Sequence, residues 1–421
     1  MRVLPMKRIL IFGLGKTNTP LYEYLVQDPS NEVYVSSDSL GELKDYSEDR
    51  ILDPSALQAG FFDEIYCVPG VSSKHPLFSL GKVKNEIEFS IQFFDSKVIG
   101  VTGTNGKSTL SKFLHDFLTK LGYQCILAGN YGSALASFLG KEMKPDVIIL
   151  ELSSFQLYSL HKAFLDFAVL ASFEPDHLDW HGGLKEYRDA KAKIFTLLKP
   201  GGLSLAPIDW KEPKPSRTFA VENELADYVL GDTEIRWAKG SIQLPSVDRS
   251  LMLTYLMACS VLIEMGVDIA QLDAFDFQGL GHRLEKVREI DGTLFINDSK
   301  STTPGSTLFA LDRIERSRIL LILGGKEKGI ELATFFQGLV ARRERIVKIF
   351  TYGEFGVQTE ELRKLGFDVE SSIDYEELIK KVLLQKNMGD CVLLSPGFSS
   401  LDQLASFEER GEKFKKFVQC L

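Results

Sequence analysis

Cysteine is sparse and scattered in this chain. Its 421 residues include five cysteines, Cys67, Cys125, Cys259, Cys391 and Cys420, with no Cys-x-x-Cys pair. That usage speaks against a disulfide framework and against a cysteine-based zinc site. Several of the five stand beside apolar runs, so buried, reduced thiols in a reducing compartment are expected. Long hydrophobic runs are also missing: no stretch approaches the ~18 apolar residues of a membrane span. The run Ile9–Phe12 passes straight into a glycine-rich turn with no small-residue cleavage site, and it reads as a first strand rather than a secretory leader. A cytoplasmic protein with no membrane partner is expected. A basic excess is lacking too. Lys plus Arg number 49 against 58 Asp plus Glu, a formal charge of −9, which argues against a surface that coats nucleic acid but leaves room for local basic pockets. There is no internal repeat and no low-complexity tract.

What remains is an ordinary globular composition, 44% hydrophobic and 25% charged, in a chain long enough for two or three domains. Short apolar runs alternate with amphipathic helical patterns, which predicts α/β units on largely parallel sheets. Strands are expected at Ile9–Phe12, Val33–Val35 and Glu64–Val68, and a second series opens at Lys97–Val101. After it, Leu110, Phe113, Leu114, Phe117, Leu118 and Leu121 recur at helical spacing, and Gly122 supplies a stop. Val147–Leu150 and Phe167–Leu170 continue the series. From about Gly201 to Asp248 the pattern is irregular and assigns no elements. A third series begins near Thr293 and runs through Arg318–Leu323, Val347–Tyr352 and Cys391–Leu394 to a closing helix. The restarts place domains at 1–93, 94–280 and 281–421.

The sharpest chemical signal is KVIGVTGTNGKSTLSKFL. A strand enters Gly103-Thr104-Asn105-Gly106-Lys107-Ser108-Thr109 and a helix follows, the arrangement in which backbone N–H groups and a helix N-terminus cradle phosphate. Lys107 would reach the β/γ-phosphates and the Ser108 hydroxyl would hold Mg²⁺. The strict pattern fails only at its first position, where Val101 replaces glycine.

Other segments leave alternatives open. Gly13-Leu14-Gly15-Lys16-Thr17-Asn18 has two glycines of a dinucleotide fingerprint, with Asn18 where the third would stand; it reads as a tight βα turn or as a site for a nucleotide-linked ligand. Glu151 ends a buried-looking strand, as a metal-serving acid or as a turn residue. Asp176, His177, Asp179 and His181 form either a metal or substrate cluster or a mixed polar loop. Lys191 taken alone reads as a solvated helix lysine. Arg283, Glu285, Asn297-Asp298-Ser299-Lys300, Gly324–Lys328 and the closing SPGFSSLDQLASFEERG are polar clusters at expected strand ends, and none specifies a reaction unaided.

Taken in order, GLGKTN, VPGVSSKHP, NEIEFS, GVTGTNGKST, ELSSFQL, PDHLDWHG, YRDAK, HRLE, NDSKSTT, GGKEKG and SPGFSSLDQLASFEERG resemble the Mur ligase family over nearly the whole chain. ELSSFQL and SLDQ…FEERG resemble most its branch that adds D-glutamate to UDP-N-acetylmuramoyl-L-alanine in peptidoglycan precursor synthesis. The resemblance implies three α/β domains: Rossmann-like ones at each end, for the uridine nucleotide and the amino acid, and a central P-loop ATPase. It implies ATP and two Mg²⁺ ions, with Lys107, Glu151, His177 and Lys191 catalytic and Ser108, Glu151, His177 and Lys191 (as a carbamate) around the metal. Lys16, Thr17, Ser39, Asn130 and His177 match residues around the uridine-linked substrate. Arg283 and Asp298 match nucleotide contacts, and Lys300, Thr302, Lys328, Ser400 and Phe407 match the D-glutamate pocket. A monomer with a hinge near residue 280 is implied as well.

The chain departs from the family pattern at LPSVDRSLMLTYL, where a His-Asn…Asn signature is usual, at Thr303-Pro304, and at Leu40. Rival readings are a sibling ligase or folylpolyglutamate synthase with another acceptor, and a non-ligating nucleotide-binding regulator. An oxidoreductase using Gly13-Leu14-Gly15 leaves the later motifs without a role.

Overall fold

The fold is described from a computed structural model, which covers the chain except residues 1–5, 40–42, 44–45, 73, 245–248, 273–274, 276, 278 and 327–331. Tertiary contacts divide it into two compact units, Met1–Phe277 and Gln278–Leu421. The first unit contains two sheets and the second contains one.

The first sheet holds β1 (Lys7–Phe12), β2 (Asn31–Ser36), β3 (Glu64–Cys67) and β4 (Val83–Lys84) in the order β2-β1-β3-β4, all parallel. Ile9, Leu10, Ile11 and Phe12 are buried in succession, the mark of a strand covered on both faces. Helix α1 (Thr19–Leu25) starts with Pro20 in its first turn, where a missing N–H costs nothing. Helix α2 (Glu86–Ser90) docks this sheet onto the central one. Asn85 caps it and also donates to Gln156 O at 2.9 Å, while the buried Glu86 accepts from the amides of Leu135 and Ala136. These bonds explain NEIEFS as a structural joint.

The central sheet comprises β5 (Lys97–Thr102), β6 (Cys125–Gly129), β7 (Val147–Glu151), β8 (Leu165–Leu170), β9 (Leu198–Pro207), β10 (Arg217–Val221), β11 (Tyr228–Leu230), β12 (Glu234–Trp237) and β13 (Gly240–Gln243). The order is β13-β12-β11-β10-β9-β8-β5-β7-β6, parallel except for the β11-β12-β13 meander. As far as Gln243, the stretch expected to be irregular is therefore built of strands. Its strands are only three to five residues long after β9, too short for a periodicity to show. Helices α3 (Lys107–Lys120), α4 (Ser154–Tyr158), α5 (Leu178–His181), α6 (Leu184–Ala192) and α7 (Arg249–Glu264) complete the unit. The predicted stripe of α3 buries Leu110, Phe113, Leu114, Phe117 and Leu118 against α7, with Phe113 and Phe117 edge-on to Phe275.

The third sheet holds β14 (Glu285–Ile290), β15 (Thr293–Asn297), β16 (Ile319–Gly324), β17 (Ile346–Tyr352), β18 (Val369–Ser372) and β19 (Cys391–Gly397). Its order is β14-β15-β19-β16-β17-β18, and only β14 is antiparallel. Helices α8 (Pro304–Arg313), α9 (Ala333–Val340), α10 (Thr359–Lys364), α11 (Tyr375–Gln385) and α12 (Phe407–Gln419) flank it. Thr303-Pro304 is a helix start here: Thr303 and Ser306 form a reciprocal cap, with Pro304 in the first turn.

All five cysteines are free, with Cys67, Cys259 and Cys391 buried. Cys420 corrects the expectation of burial: it caps α12 on the exposed side. Among the described residues no helix is long and apolar enough to cross a membrane.

Candidate functional site

Parallel strands present their carboxyl ends to one edge, and ligands collect there. At the edge of the central sheet β5 ends at Thr102, Gly103 follows it, and Gly106, at φ 81°, turns the chain into α3. A Cβ on Gly103 would lie 2.9 Å from the Ser172 nitrogen, so only glycine lets the loop pass. The loop is pinned from outside. Thr104 N donates to Ser172 O at 3.0 Å and Asn105 N to Ser172 Oγ at 2.8 Å. Asn105 Nδ2 donates to Glu174 Oε2 at 3.2 Å, and Thr104 Oγ1 lies 3.0 Å from the Tyr187 hydroxyl.

Two ammonium groups converge on this loop. Lys107 Nζ donates to Gly103 O at 2.7 Å and to Thr104 O at 2.9 Å, and Lys191 Nζ donates to the same Gly103 O at 2.7 Å. Lys191 is only 2% exposed, which corrects its reading as a solvated helix lysine. Burial holds its pKa well below the usual lysine range, and the neighbouring Lys107 charge pushes the same way; Asp176 and Glu151 pull weakly in the other direction. Its Nζ also lies 5.3 Å over the Tyr187 ring.

Glu151, the last residue of β7, is 1% exposed. Oε1 accepts from Asn130 Nδ2 at 2.7 Å, while Oε2 is buried without a hydrogen-bond partner. The alternative of a plain surface turn residue falls away. Asn130 thus joins Glu151 on the central sheet, while Lys16, Thr17 and Ser39 lie at the carboxyl edge of the first sheet, Lys16 and Ser39 exposed. Asn18 is buried there and donates to Gly13 O at 3.0 Å, so a side-chain bond ties the turn where a third glycine was sought. Ser108 and Thr109 are buried in the first turn of α3.

His177 stands before α5 at φ 51°, an uncommon conformation for a side-chain-bearing residue. Its side chain is 47% exposed, with Nε2 3.4 Å from Asp176 Oδ2 and the ring 4.8 Å from that of Phe155. His181 and Trp180 are engaged within the fold. His181 is buried with Nε2 3.0 Å from Ser154 Oγ, and Trp180 Nε1 donates to Gly70 O at 3.4 Å. Tyr187 and Ser172 were missed from the sequence. Tyr187 stands four residues before Lys191, one turn along the same helix face, a spacing that could have revealed it; Ser172 carries no local signal. A cleft of about 500 Å³ beside the loop is lined by Ser172, Phe173, Arg188, Trp210, Asn223 and Leu253, among others.

In the second unit Arg283 and Leu284 precede β14, and Asp298 follows β15. Asp298 is 2% exposed. It accepts from Ser301 Oγ, Ser395 Oγ and Leu284 N, and burial raises its pKa to about 6. Lys300, Thr302 and Ser400 lie on loops at the carboxyl edge and Phe407 opens α12 beside them, Ser400 buried and the others partly so. Lys328 lies outside the described residues, as do Leu40 and residues 245–248 of the departing segment.

The Mur ligase middle domain matches residues 101–261, and the Mur ligase glutamate ligase domain matches residues 282–398. A UDP-N-acetylmuramoylalanine–D-glutamate ligase of Ruminiclostridium cellulolyticum is 30% identical, over 99% of this chain and 97% of its own. One from Aquifex aeolicus is 31% identical over 98% of each. Among solved structures, the MurF ligase of Thermotoga maritima in complex with ADP superposes with a TM-score of 0.65 at 18% identity, covering all of both chains. The MurC ligase of the same organism gives 0.63 at 16% identity, over 98% of this chain and 99% of its own. With three mainly parallel sheets, a glycine loop gripped by two lysines, and relatives of this identity along its whole length, the chain belongs to the Mur ligase family.

Proposed function

We propose that this chain is an ATP-dependent ligase that joins D-glutamate to UDP-N-acetylmuramoyl-L-alanine through an acyl phosphate, in peptidoglycan precursor synthesis. The observation that carries the reading is the shared grip of Lys107 and Lys191 on the Gly103 carbonyl, beside a buried Glu151 with one unpartnered oxygen. Relatives bearing that activity in their names match along nearly their whole length.

The residues fit a hard divalent cation. Mg²⁺ takes one or two carboxylates, a hydroxyl, waters and substrate phosphates rather than a closed protein cage, and Glu151 Oε2 and the Ser108 hydroxyl are donors of that class. No group of three or more His, Cys, Asp or Glu among the described residues is arranged to hold a metal, so the phosphates would complete the set. Burial lowers the pKa of Lys191, which eases loss of the proton that must leave before the amine can attack CO₂, and the carbamate formed there would replace a repelling ammonium with a carboxylate. When bound, Mg²⁺ would screen the phosphate charge.

The chain's own part is positioning and charge placement. The first-turn amides of α3 and Lys107 hold the γ-phosphoryl of ATP in line with the L-alanyl carboxylate, whose oxygen attacks phosphorus as ADP leaves. The amine of D-glutamate then attacks the acyl carbon, and the tetrahedral oxyanion collapses with loss of phosphate. Lys16, Thr17, Ser39 and Asn130 serve the uridine-linked substrate, and Arg283 the nucleotide. Asp298 acts by holding the Leu284 amide next to Arg283. Lys300, Thr302, Lys328, Ser400 and Phe407 serve D-glutamate, the lysines by charge-assisted bonds to its carboxylates. Functional domains at 1–93, 94–280 and 281–421 follow the three sheets.

The test is ADP release with UDP-N-acetylmuramoyl-L-alanine, with and without D-glutamate, beside a panel of other amino acids. Release that requires both substrates is expected. Turnover with a different amino acid assigns a sibling activity, and ATP binding without turnover assigns a regulator.

A further inference from the structure

The closing motif FEERG has no role in the reading above beyond Phe407. Its arginine, Arg410, is 0% exposed, and its hydrogen bonds go to neutral acceptors. Nε donates to Ser299 Oγ at 2.9 Å and Nη2 to Ser299 O at 2.8 Å. Nη1 donates to Phe398 O at 3.1 Å and to the Tyr352 hydroxyl at 3.0 Å. No carboxylate is among these partners. Burying a cation against neutral groups alone is costly, and a cation in the first turn of α12 also opposes the helix dipole. A purely packing residue here would be apolar.

What the guanidinium gains is geometry. Ser299 follows β15, Phe398 follows β19 and Tyr352 ends β17, so one rigid fork ties three strand ends at the carboxyl edge. The β16 turn is tied to the same place, since Lys326 N donates to Ser399 O at 2.7 Å. From Ser299 the connection continues to the pocket. Its hydroxyl donates to Phe407 O at 2.8 Å, and Lys300, the next residue, places Nζ 5.6 Å over the Phe407 ring. The neighbouring Gly411 is needed for the fit, because a Cβ there would collide with the His282 ring.

We infer that Arg410 is a positioning residue for the amino-acid acceptor: through Ser299 and Phe398 it sets the relative places of Lys300, Phe407 and Ser400 without touching substrate. The inference rests on the reading of those three residues as the D-glutamate pocket.

Full-length Arg410→Lys, Ser299→Ala and Tyr352→Phe variants test it by steady-state ADP release and thermal melting. Lysine keeps the charge but cannot span the three strand ends. Arg410→Lys should raise the KM for D-glutamate about tenfold or more, with Ser299→Ala moving it the same way by less. The KM for UDP-N-acetylmuramoyl-L-alanine should stay within about twofold, because its proposed site lies in the other unit. Tyr352→Phe removes one bond and should give the smallest shift. If Arg410→Lys does not fold, Ser299→Ala carries the comparison. Folded variants in which the D-glutamate KM is unmoved, or rises in step with that of the nucleotide substrate, overturn the inference. A wild-type enzyme idle with D-glutamate but active with another amino acid overturns only the choice of acceptor, and the same KM comparison is then made with that acceptor.

Discussion

The carboxyl edges of the central and C-terminal sheets are ordered by different means. At the central edge the loop Gly103–Gly106 is shaped by backbone: two glycines at positive φ, amides bonded to Ser172, and a shared carbonyl that collects the ammonium groups of Lys107 and Lys191. At the C-terminal edge a buried guanidinium braces three strand ends from below. The difference follows the ligand proposed for each. A polyphosphate brings high charge density and needs donors close to the main chain, so side chains are cleared away and cations left in place. A small chiral amino acid needs several loops in fixed register, which a planar fork with several donors provides.

That contrast can be broken at its strongest point by Lys107→Ala. Loss of the ammonium should lower kcat for ADP release on the order of 10²–10³-fold, as for other preorganised charge-stabilising groups. Near-normal ligation by this variant would remove the phosphate-gripping role altogether. Lys191→Ala comes next, with kcat reduced roughly 10–100-fold, the range for groups that support a metal site. Added short carboxylic acids should restore part of the activity, and full activity without them would count against a carbamate. Gly106→Ala sharpens the backbone side of the comparison. At φ 81° a Cβ should cost about 1–2 kcal/mol in chemical denaturation, and an unchanged midpoint would show that the turn tolerates a side chain.

The smallest effect is expected away from both edges, at Glu86. Burial pushes its carboxyl from the ordinary 4.5 up to about 7, against the pull of its bonds to Ala136, Leu135 and Ser90. The folded chain then keeps a proton that the unfolded chain loses between those values. The group's stabilising contribution is full below about pH 4.5 and disappears as pH rises through 7. Glu86→Gln should therefore compare better with the parent at pH 8 than at pH 5 in melting temperature. A difference independent of pH would mean that the carboxyl titrates normally.

The strand–glycine loop–helix of β5 and α3 was legible because its physics is local: a strand, glycines, a lysine and a helix start lie within a dozen residues. Glu151 was half legible, since its place at a strand end shows in the pattern while its orphaned oxygen does not. Lys191 was misread when taken alone. Nothing in YRDAK marks a lysine as buried, because burial comes from the Gly103 loop and Tyr187 closing over it. Asn18 looked like a missing glycine, and the buried bond to Gly13 O that replaces it appears only once the turn is built. The short strands after β9 left no periodicity to read.

By itself, the order of residues determined the α/β class, the three series of strands and the glycine turn after β5, because each depends on neighbours within about one helical or strand element. Only the tertiary structure decided which charges are buried and what they hold. Lys191 and Arg410 are both cations on helices, alike in any local pattern. One lies under the Gly103 loop and the other beneath three strand ends, and that difference arises from contacts between residues about 90 to 110 positions apart.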